Sequence, residues 1–253
     1  MTNGAESLKA VEYSVIISNR VSFRALVGKM RNLVEDESLR NKRFVFENRD
    51  AAGRRLFQIL SDFHRTDPVV LAIPSGGVPV AIAMRKGWPF EFELLIVRKI
   101  QIPWNTEAGF GAVNLDGEVI LNEELLRSLR LSQDIVHAQI EKTKEILKKR
   151  DQTFRRGRDF PPIESRVVIL VDDGLASGYS MIAAVHFVKK RGPSKILVAV
   201  PTGSYSTLSR ISPLVDTLYC VNVREGSSFA VAEAYKNWYD LTDEEVLSLL
   251  NLL

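Results

Sequence analysis

The sequence predicts an α/β fold, a doubly wound and mostly parallel sheet with helices on both faces. Three observations predict it. Short runs rich in Val, Ile and Leu recur at residues 69–73, 92–97, 167–171 and 196–200, with a weaker one at 217–223. None alternates cleanly between apolar and polar residues, which suits strands buried on both faces. Segments with helical spacing lie between them, at 78–86, 177–190 and 204–211. Strands alternating with helices form right-handed crossover units that cover both sides of a sheet.

Composition agrees with one large domain or a core with an appendage: 253 residues, 45% apolar and 26% charged. A net charge of +3 requires neither nucleic acid nor a membrane as partner and is compatible with anionic metabolites. No stretch approaches the roughly 18 consecutive apolar residues of a membrane span. The first fifteen residues lack a basic segment followed by an apolar one, so a cytoplasmic location is expected. Cys220 is the sole cysteine. It excludes an intrachain disulfide, and its apolar surroundings read as those of a buried, inert thiol.

Taken in order, residues 1–45 read as an N-terminal appendage, with a strand at 11–18 and helical spacing over 22–39 (Phe23, Leu26, Val27, Met30, Leu33, Val34). Residues 46–253 form the main domain. The connection between Val97 and Val167 is longer than a crossover needs, so residues 98–165 read as an insertion. It begins with a polar loop over 98–109. A hairpin follows at 111–122, with Asp116-Gly117 as a two-residue turn. Residues 132–150 read as an amphipathic helix capped by Ser132, with Val136, Ile140, Thr143 and Leu147 on one face and Lys148, Lys149 and Arg150 at the negative end of its dipole. The basic stretch FRRGRDFPP, with Arg155, Arg156 and Arg158, reads as a solvated closing loop. Residues 220–253 read as a small C-terminal hood.

The strongest chemical signal is VVILVDDGLASGYSM, residues 167–181. A buried strand ends in Asp172 and Asp173, and the loop of Gly174, Leu175, Ala176, Ser177, Gly178, Tyr179 and Ser180 opens a helix. Consecutive backbone N–H groups at a helix N-terminus form an anion site. No lysine follows, so this is not the GxxxxGK loop of nucleoside triphosphate enzymes. Carboxylates beside a phosphate cradle make sense as acceptors for vicinal hydroxyls, the layout of ribose 5-phosphate. A plain turn with an N-cap, or an Mg2+-binding acid of a receiver-like fold, accounts for only part of the motif.

A second strand–loop–helix, AIPSGGVPVA, presents Ser75, Gly76 and Gly77. It reads as a second backbone anion site or as an ordinary turn that needs glycines. Arg98 and Lys99 follow the strand that ends at Val97. Two cations at a strand's carboxyl end suit a diphosphate. A dinucleotide fingerprint is not met: Gly109-Phe110-Gly111 lacks a preceding buried strand and the third glycine. His64, His137 and His186 have no metal-ligand spacing.

On these residues the chain, over about 46–250, resembles the type I phosphoribosyltransferases, in a bacterial and archaeal subgroup sharing PSGGVPVA, RKI-x-P and the C-terminal FAVAEAYKNWYDLTDEEVLSLL. The resemblance implies that residues 172–180 hold the ribose phosphate of phosphoribosyl pyrophosphate. It implies that Ser75, Gly76, Gly77, Arg98 and Lys99 meet the pyrophosphate, with Arg98 and Lys99 carrying catalysis. It further implies a cis peptide entering Ser75, a mobile loop over 101–109 with Trp104 and Glu107, and Phe229 against the acceptor. Phe229, Tyr235 and Trp238 read alternatively as the core of a C-terminal helix; Glu107 reads as a solvated acid. Mg2+ is implied as cofactor, bound mainly through substrate and water and without a protein metal site, as is a homodimer. The implied reaction transfers ribose 5-phosphate to a nitrogen acceptor, a nucleobase, in nucleotide metabolism. Three departures are legible: Ser75 where many relatives carry Arg or Lys, Ser177 where Thr is common, and Tyr179 where a small residue is usual. The first keeps a second reading open, a non-catalytic sensor of the same metabolite that regulates a partner.

Overall fold

In the computed structural model, which describes residues 30–60, 63, 66–226 and 228–251, each apolar run of the sequence contributes a strand. In chain order the elements are β1 (Leu33–Glu35), α1 (Arg49–Ile59), β2 (Val69–Ala72), α2 (Gly77–Arg85), β3 (Glu91–Leu94), β4 (Arg98–Ile102), β5 (Asn105–Val113), β6 (Val119–Leu121), α3 (Glu123–Leu129) and α4 (Gln133–Arg155). They continue with β7 (Val167–Val171), α5 (Tyr179–Lys189), β8 (Lys195–Ser204), α6 (Tyr205–Ile211), β9 (Thr217–Arg224) and α7 (Asp243–Leu250).

Six strands form one parallel sheet in the order β1-β9-β8-β7-β2-β3. Alternate residues of each inner strand feed opposite cores. Val70, Ala72, Ile169, Val171, Leu197 and Ala199 enter one, together with α1 and α2. Val69, Leu71, Val168, Leu170, Val198 and Val200 enter the other, together with α5 and α6. Both faces are covered, so the strands carry no polar alternation. Each fully buried Val, Leu or Ile contributes about 1.5–3 kcal/mol relative to exposure. From β2 the chain builds outward to β3, and from β7 it builds the other way to β8 and β9. The strand order reverses between β2 and β7, and ligand crevices of such sheets open at that reversal, beyond the strands' carboxyl ends.

Several expectations are corrected. Over its described part, the segment 22–39 is not a helix: residues 33–35 pair in parallel with Leu218, Tyr219 and Cys220, and a short 3-10 turn follows at Glu37–Leu39. The exposed ladder of β9 outweighs the helical spacing of a few apolar residues there. The expected strand at 11–18, the rest of that helix and His64 lie outside the described residues. Residues 98–109 are not a loop but most of β4 and β5, which with β6 form a separate antiparallel sheet, β4-β5-β6. The hairpin between β5 and β6 turns at Asn114–Gly117, one residue longer than the expected two-residue turn. The Asn114 N–H donates to Glu118 O at 3.1 Å and the Gly117 N–H to Asn114 O at 2.9 Å. Helix α4 runs five residues past Arg150, which therefore lies inside it rather than at its dipole end. Arg155, expected in a solvated loop, is the buried last residue of that helix, 3.7 Å from Glu93 Oε1 and 3.2 Å from Asp151 Oδ1.

One buried carboxylate fastens the small sheet to helix α5. Glu118 accepts hydrogen bonds from Lys190 Nζ at 2.7 Å and Asn114 Nδ2 at 3.2 Å, with His186 Nδ1 at 3.1 Å. Burial pushes this carboxyl up, but hydrogen bonds from Lys190, His186 and Asn114 outweigh it and hold it below its ordinary value. A depressed carboxylate stabilises the fold above its unfolded-state pKa, and the benefit is lost as pH falls through the folded-state value. Glu118→Gln is therefore expected to lower the thermal midpoint at pH 7 by about 4 °C, from about 1–2 kcal/mol of lost charge-assisted bonding. Melting curves should show the deficit shrinking below about pH 4; a deficit independent of pH would assign the loss to packing instead.

Candidate functional site

Two loops meet at the strand-order reversal. One leaves β2 through the cis peptide Pro74–Ser75, where the resemblance implies one, and reaches Gly76 at the start of α2. The other leaves β7 as Asp172-Asp173 and enters α5 through Gly178. A Cβ on Gly76 would lie 1.9 Å from Asp173 Oδ2, so only glycine lets the two loops touch.

The second loop is tied back on its carbonyl side. The Leu175 N–H donates to Thr202 O at 2.9 Å, the Ser204 N–H to Leu175 O at 3.2 Å, and Arg210 Nη1 to Ser177 O at 2.8 Å. Thr207 Oγ1 donates to Ala176 O. Gly178 caps α5 at φ +79°, a left-handed conformation that favours glycine. Among the described residues, the N–H groups of Ala176, Ser177, Gly178, Tyr179 and Ser180 make no hydrogen bond within the chain. Five amides at a helix N-terminus carry partial positive charge and suit a phosphate.

The two aspartates occupy different environments. Asp173 Oδ2 accepts a hydrogen bond from Arg49 Nε at 2.8 Å, and Tyr235 Oη donates to the Asp173 carbonyl at 2.6 Å. The same arginine donates from Nη1 to Tyr239 O at 2.9 Å and lies 3.9 Å from the Trp238 ring centroid. Asp172 Oδ1 accepts only the N–H of Asp173, at 2.8 Å, among the described residues. Burial, and then the Asp173 charge, push the Asp172 carboxyl well above its ordinary value. Burial raises Asp173 as well, but the Arg49 guanidinium opposes it.

Asp172 and Ser180 line a cleft of about 240 Å³ with Arg98, Lys99, Gln101 and Arg150, beside Ile73, Pro74 and Val97. The structure thus gathers the first aspartate, the end of the amide loop and the two expected cations. Burial, followed by the neighbouring Arg150 charge, holds the Arg98 guanidinium below its ordinary value. Among the described residues, no three His, Cys, Asp or Glu side chains gather as a metal site.

Other expected residues fall elsewhere. Tyr179 does not line the cleft; its ring lies 5.4 Å from the Arg210 guanidinium of α6. Phe229 is half-buried, 6.0 Å from the Arg224 guanidinium and outside the cleft lining. Tyr235 and Trp238 are not in a C-terminal helix, because α7 begins only at Asp243; Tyr235 is buried in the core. Trp104 is exposed at the tip between β4 and β5, and the side chain of Glu107 lies outside the described residues. Cys220 is fully buried, and burial raises its thiol far above the ordinary value.

Sequence reasoning missed Arg49, Arg150 and Asp243. Arg49 carries no local signal, since its partner lies 124 residues away. Arg150 does carry one: it continues the buried stripe Val136, Ile140, Thr143, Leu147, Arg150, Phe154 of α4. A charged residue in register with an apolar stripe marks a buried polar position.

A family model described as a phosphoribosyl transferase domain matches residues 36–234. Two proteins of Mycobacterium tuberculosis, from strains CDC 1551 and H37Rv and named as candidate phosphoribosyl transferases, are each 35% identical over 207 residues, covering 82% of this chain. The match covers 46% of each of those proteins, so the chain spans about half the length of the curated relatives it matches. A crystal structure of a protein from Thermus thermophilus is similar with a TM-score of 0.62 and 34% identity, covering 81% of this chain and 97% of that one.

The environment of Asp172 generates a stability prediction opposite in sign to that of Glu118. A raised folded-state pKa means stability is complete below the unfolded-state value and is lost as pH rises through the folded one. Asp172→Asn is expected to melt above the wild type at pH 7, with the gap closing below about pH 4. The test is thermal unfolding across that range. A variant that melts below the wild type at pH 7 would show that the ionised carboxyl stabilises the fold.

Proposed function

The chain belongs to the type I phosphoribosyltransferase family, and from that premise we propose that it moves ribose 5-phosphate from phosphoribosyl pyrophosphate to an acceptor nitrogen. The observation that carries this reading is the juxtaposition of a carboxylate with no ion-pair partner among the described residues, Asp172, with the free amides of residues 176–180, in a cleft also lined by Arg98 and Lys99. The amides suit the 5'-phosphate, Asp172 suits a ribose hydroxyl, and the cationic wall with Ser75, Gly76 and Gly77 suits the pyrophosphate.

In the proposed reaction the C1–O bond to pyrophosphate breaks, the acceptor nitrogen's electron pair forms the C1–N bond, and the acceptor's proton leaves to water. Negative charge grows on the departing pyrophosphate. Arg98 and Lys99 meet that charge, so their interaction strengthens as the bond breaks and lowers the barrier. Mg2+ fits the donor set: Asp172 is an oxygen donor without a cationic partner among the described residues, and the metal's other ligands would be substrate oxygens and water. The metal supplies charge neutralisation of the diphosphate. The reading extends to a nucleobase acceptor, nucleotide metabolism, a cytoplasmic location and a homodimer. No helix of the described residues is long and apolar enough to cross a membrane.

The second reading is a sensor that binds the same metabolite and regulates a partner. The neutral Ser75 in the pyrophosphate loop favours it. Pyrophosphate release from phosphoribosyl pyrophosphate, assayed with Mg2+ and a panel of purine and pyrimidine bases, separates the two. Turnover with a base is expected; donor binding without release for any base would establish the sensor. Lys99→Ala is expected to depress single-turnover release about 10²-fold, from about 2.7 kcal/mol of transition-state stabilisation, while weakening donor binding much less. Weaker binding at an unchanged rate would refute the catalytic role.

A further inference from the structure

We infer that Arg150, reaching in from helix α4, is the cation of the pyrophosphate loop, and that Asp243 of α7 holds its place until the pyrophosphate arrives. This rests on the transferase reading above and deepens it.

The loop itself offers amides and a hydroxyl but no charge: Ser75, Gly76 and Gly77 are all neutral. Arg150 supplies one from 75 residues away. Its Nη2 donates to Ser75 Oγ at 3.0 Å and to Asp243 Oδ1 at 2.7 Å. The guanidinium lies 5.0 Å from the Phe154 ring centroid and lines the same cleft as Asp172 and Ser180.

Three features suit Arg150 to an incoming anion. First, Arg150 sits in register with the apolar stripe of α4 and is buried, a costly place for a charge. Second, its Nε is buried without a hydrogen-bond partner, as are Arg155 Nε and Arg224 Nη1, so the guanidinium at the cleft keeps donor capacity for a further oxygen. Third, its carboxylate partner is far less buried: the Asp243 side chain is 43% exposed against 10% for Arg150. Asp243 is the first residue of α7, a helix begun by a complete capping box of Thr242 and Glu245. A fixed helix start thus presents a carboxylate to a guanidinium at the edge of the cleft. Only Nη2 of the guanidinium meets Asp243, whereas a diphosphate can offer oxygens to more than one of its N–H groups. A pyrophosphate oxygen at Ser75 would take the position that Asp243 now occupies on Nη2.

The test is calorimetry of the full chain with Mg2+, titrating phosphoribosyl pyrophosphate and, separately, ribose 5-phosphate, which lacks the pyrophosphate. Arg150→Gln is expected to weaken the pyrophosphate compound about 30-fold, the factor for one lost charge-assisted hydrogen bond, and to leave ribose 5-phosphate within about threefold. Asp243→Asn removes the competing charge, so its affinity for phosphoribosyl pyrophosphate is expected at or above the wild type, a direction that a folding defect does not produce. Equal losses for both ligands in Arg150→Gln, no loss for either, or weaker donor binding in Asp243→Asn would overturn the inference. A wild type that binds ribose 5-phosphate but not the pyrophosphate compound would overturn it too. A wild type that binds neither ligand would instead overturn the transferase reading, and the inference with it.

Discussion

Asp173 lies where three parts of the chain converge, and its largely shielded carboxylate is held there by a cation. Arg49 provides it at 2.8 Å. Removing one partner of such a pair costs about 3–5 kcal/mol, because a charge is left buried without compensation. The rest of the site hangs on this contact. It ties the start of α1 to the end of β7, and through Tyr239 O and the Trp238 ring it ties in the segment before α7. The same carboxylate lies against Gly76, so the ion pair also sets how closely the two ligand loops approach.

With Asp173 engaged, Asp172 is left to face the cleft. Adjacent residues in one motif thus divide their work. One is neutralised by a guanidinium and braces the architecture, and the other is held ionisable in a place that resists its ionisation. A carboxyl raised by burial and a like charge is poor for stability and useful for a cationic or hydroxylic ligand. Violations of local optimality of this kind gather at functional sites. The amide loop shows the same logic: its carbonyls are bound to β8 and α6 while five N–H groups stay open to a ligand.

The insertion completes the site from the opposite side. The small antiparallel sheet brings Arg98 and Lys99 to the cleft and is anchored through Glu118 to α5, the helix that the amide loop begins. Helix α4 then returns across the cleft, and its buried stripe delivers Arg150 to Ser75. Three cations from two elements therefore surround a loop that has none of its own. The positive wall is a product of packing rather than of any one motif.

The sequence by itself determined the parallel sheet, its helices and the ribose-phosphate loop, because these are written in local terms. Val-rich runs without polar alternation state that both faces are buried, and Asp172-Asp173 before a glycine-containing helix start states an anion site beside hydroxyl acceptors. Tertiary structure decided the rest. Residues 33–35 became a strand because β9 presented an unpaired edge, against their helical spacing. Residues 98–102 became a strand because β5 offered them an antiparallel ladder, and residues 105–109 became the first part of β5 by pairing back onto Gln101 and Ile102. Which aspartate is bound and which is open depended on Arg49, 124 positions away in sequence. The cation beside Ser75 depended on Arg150, 75 positions away. Charge pairing acts through space, and only the packed chain brings such distant residues within hydrogen-bonding reach.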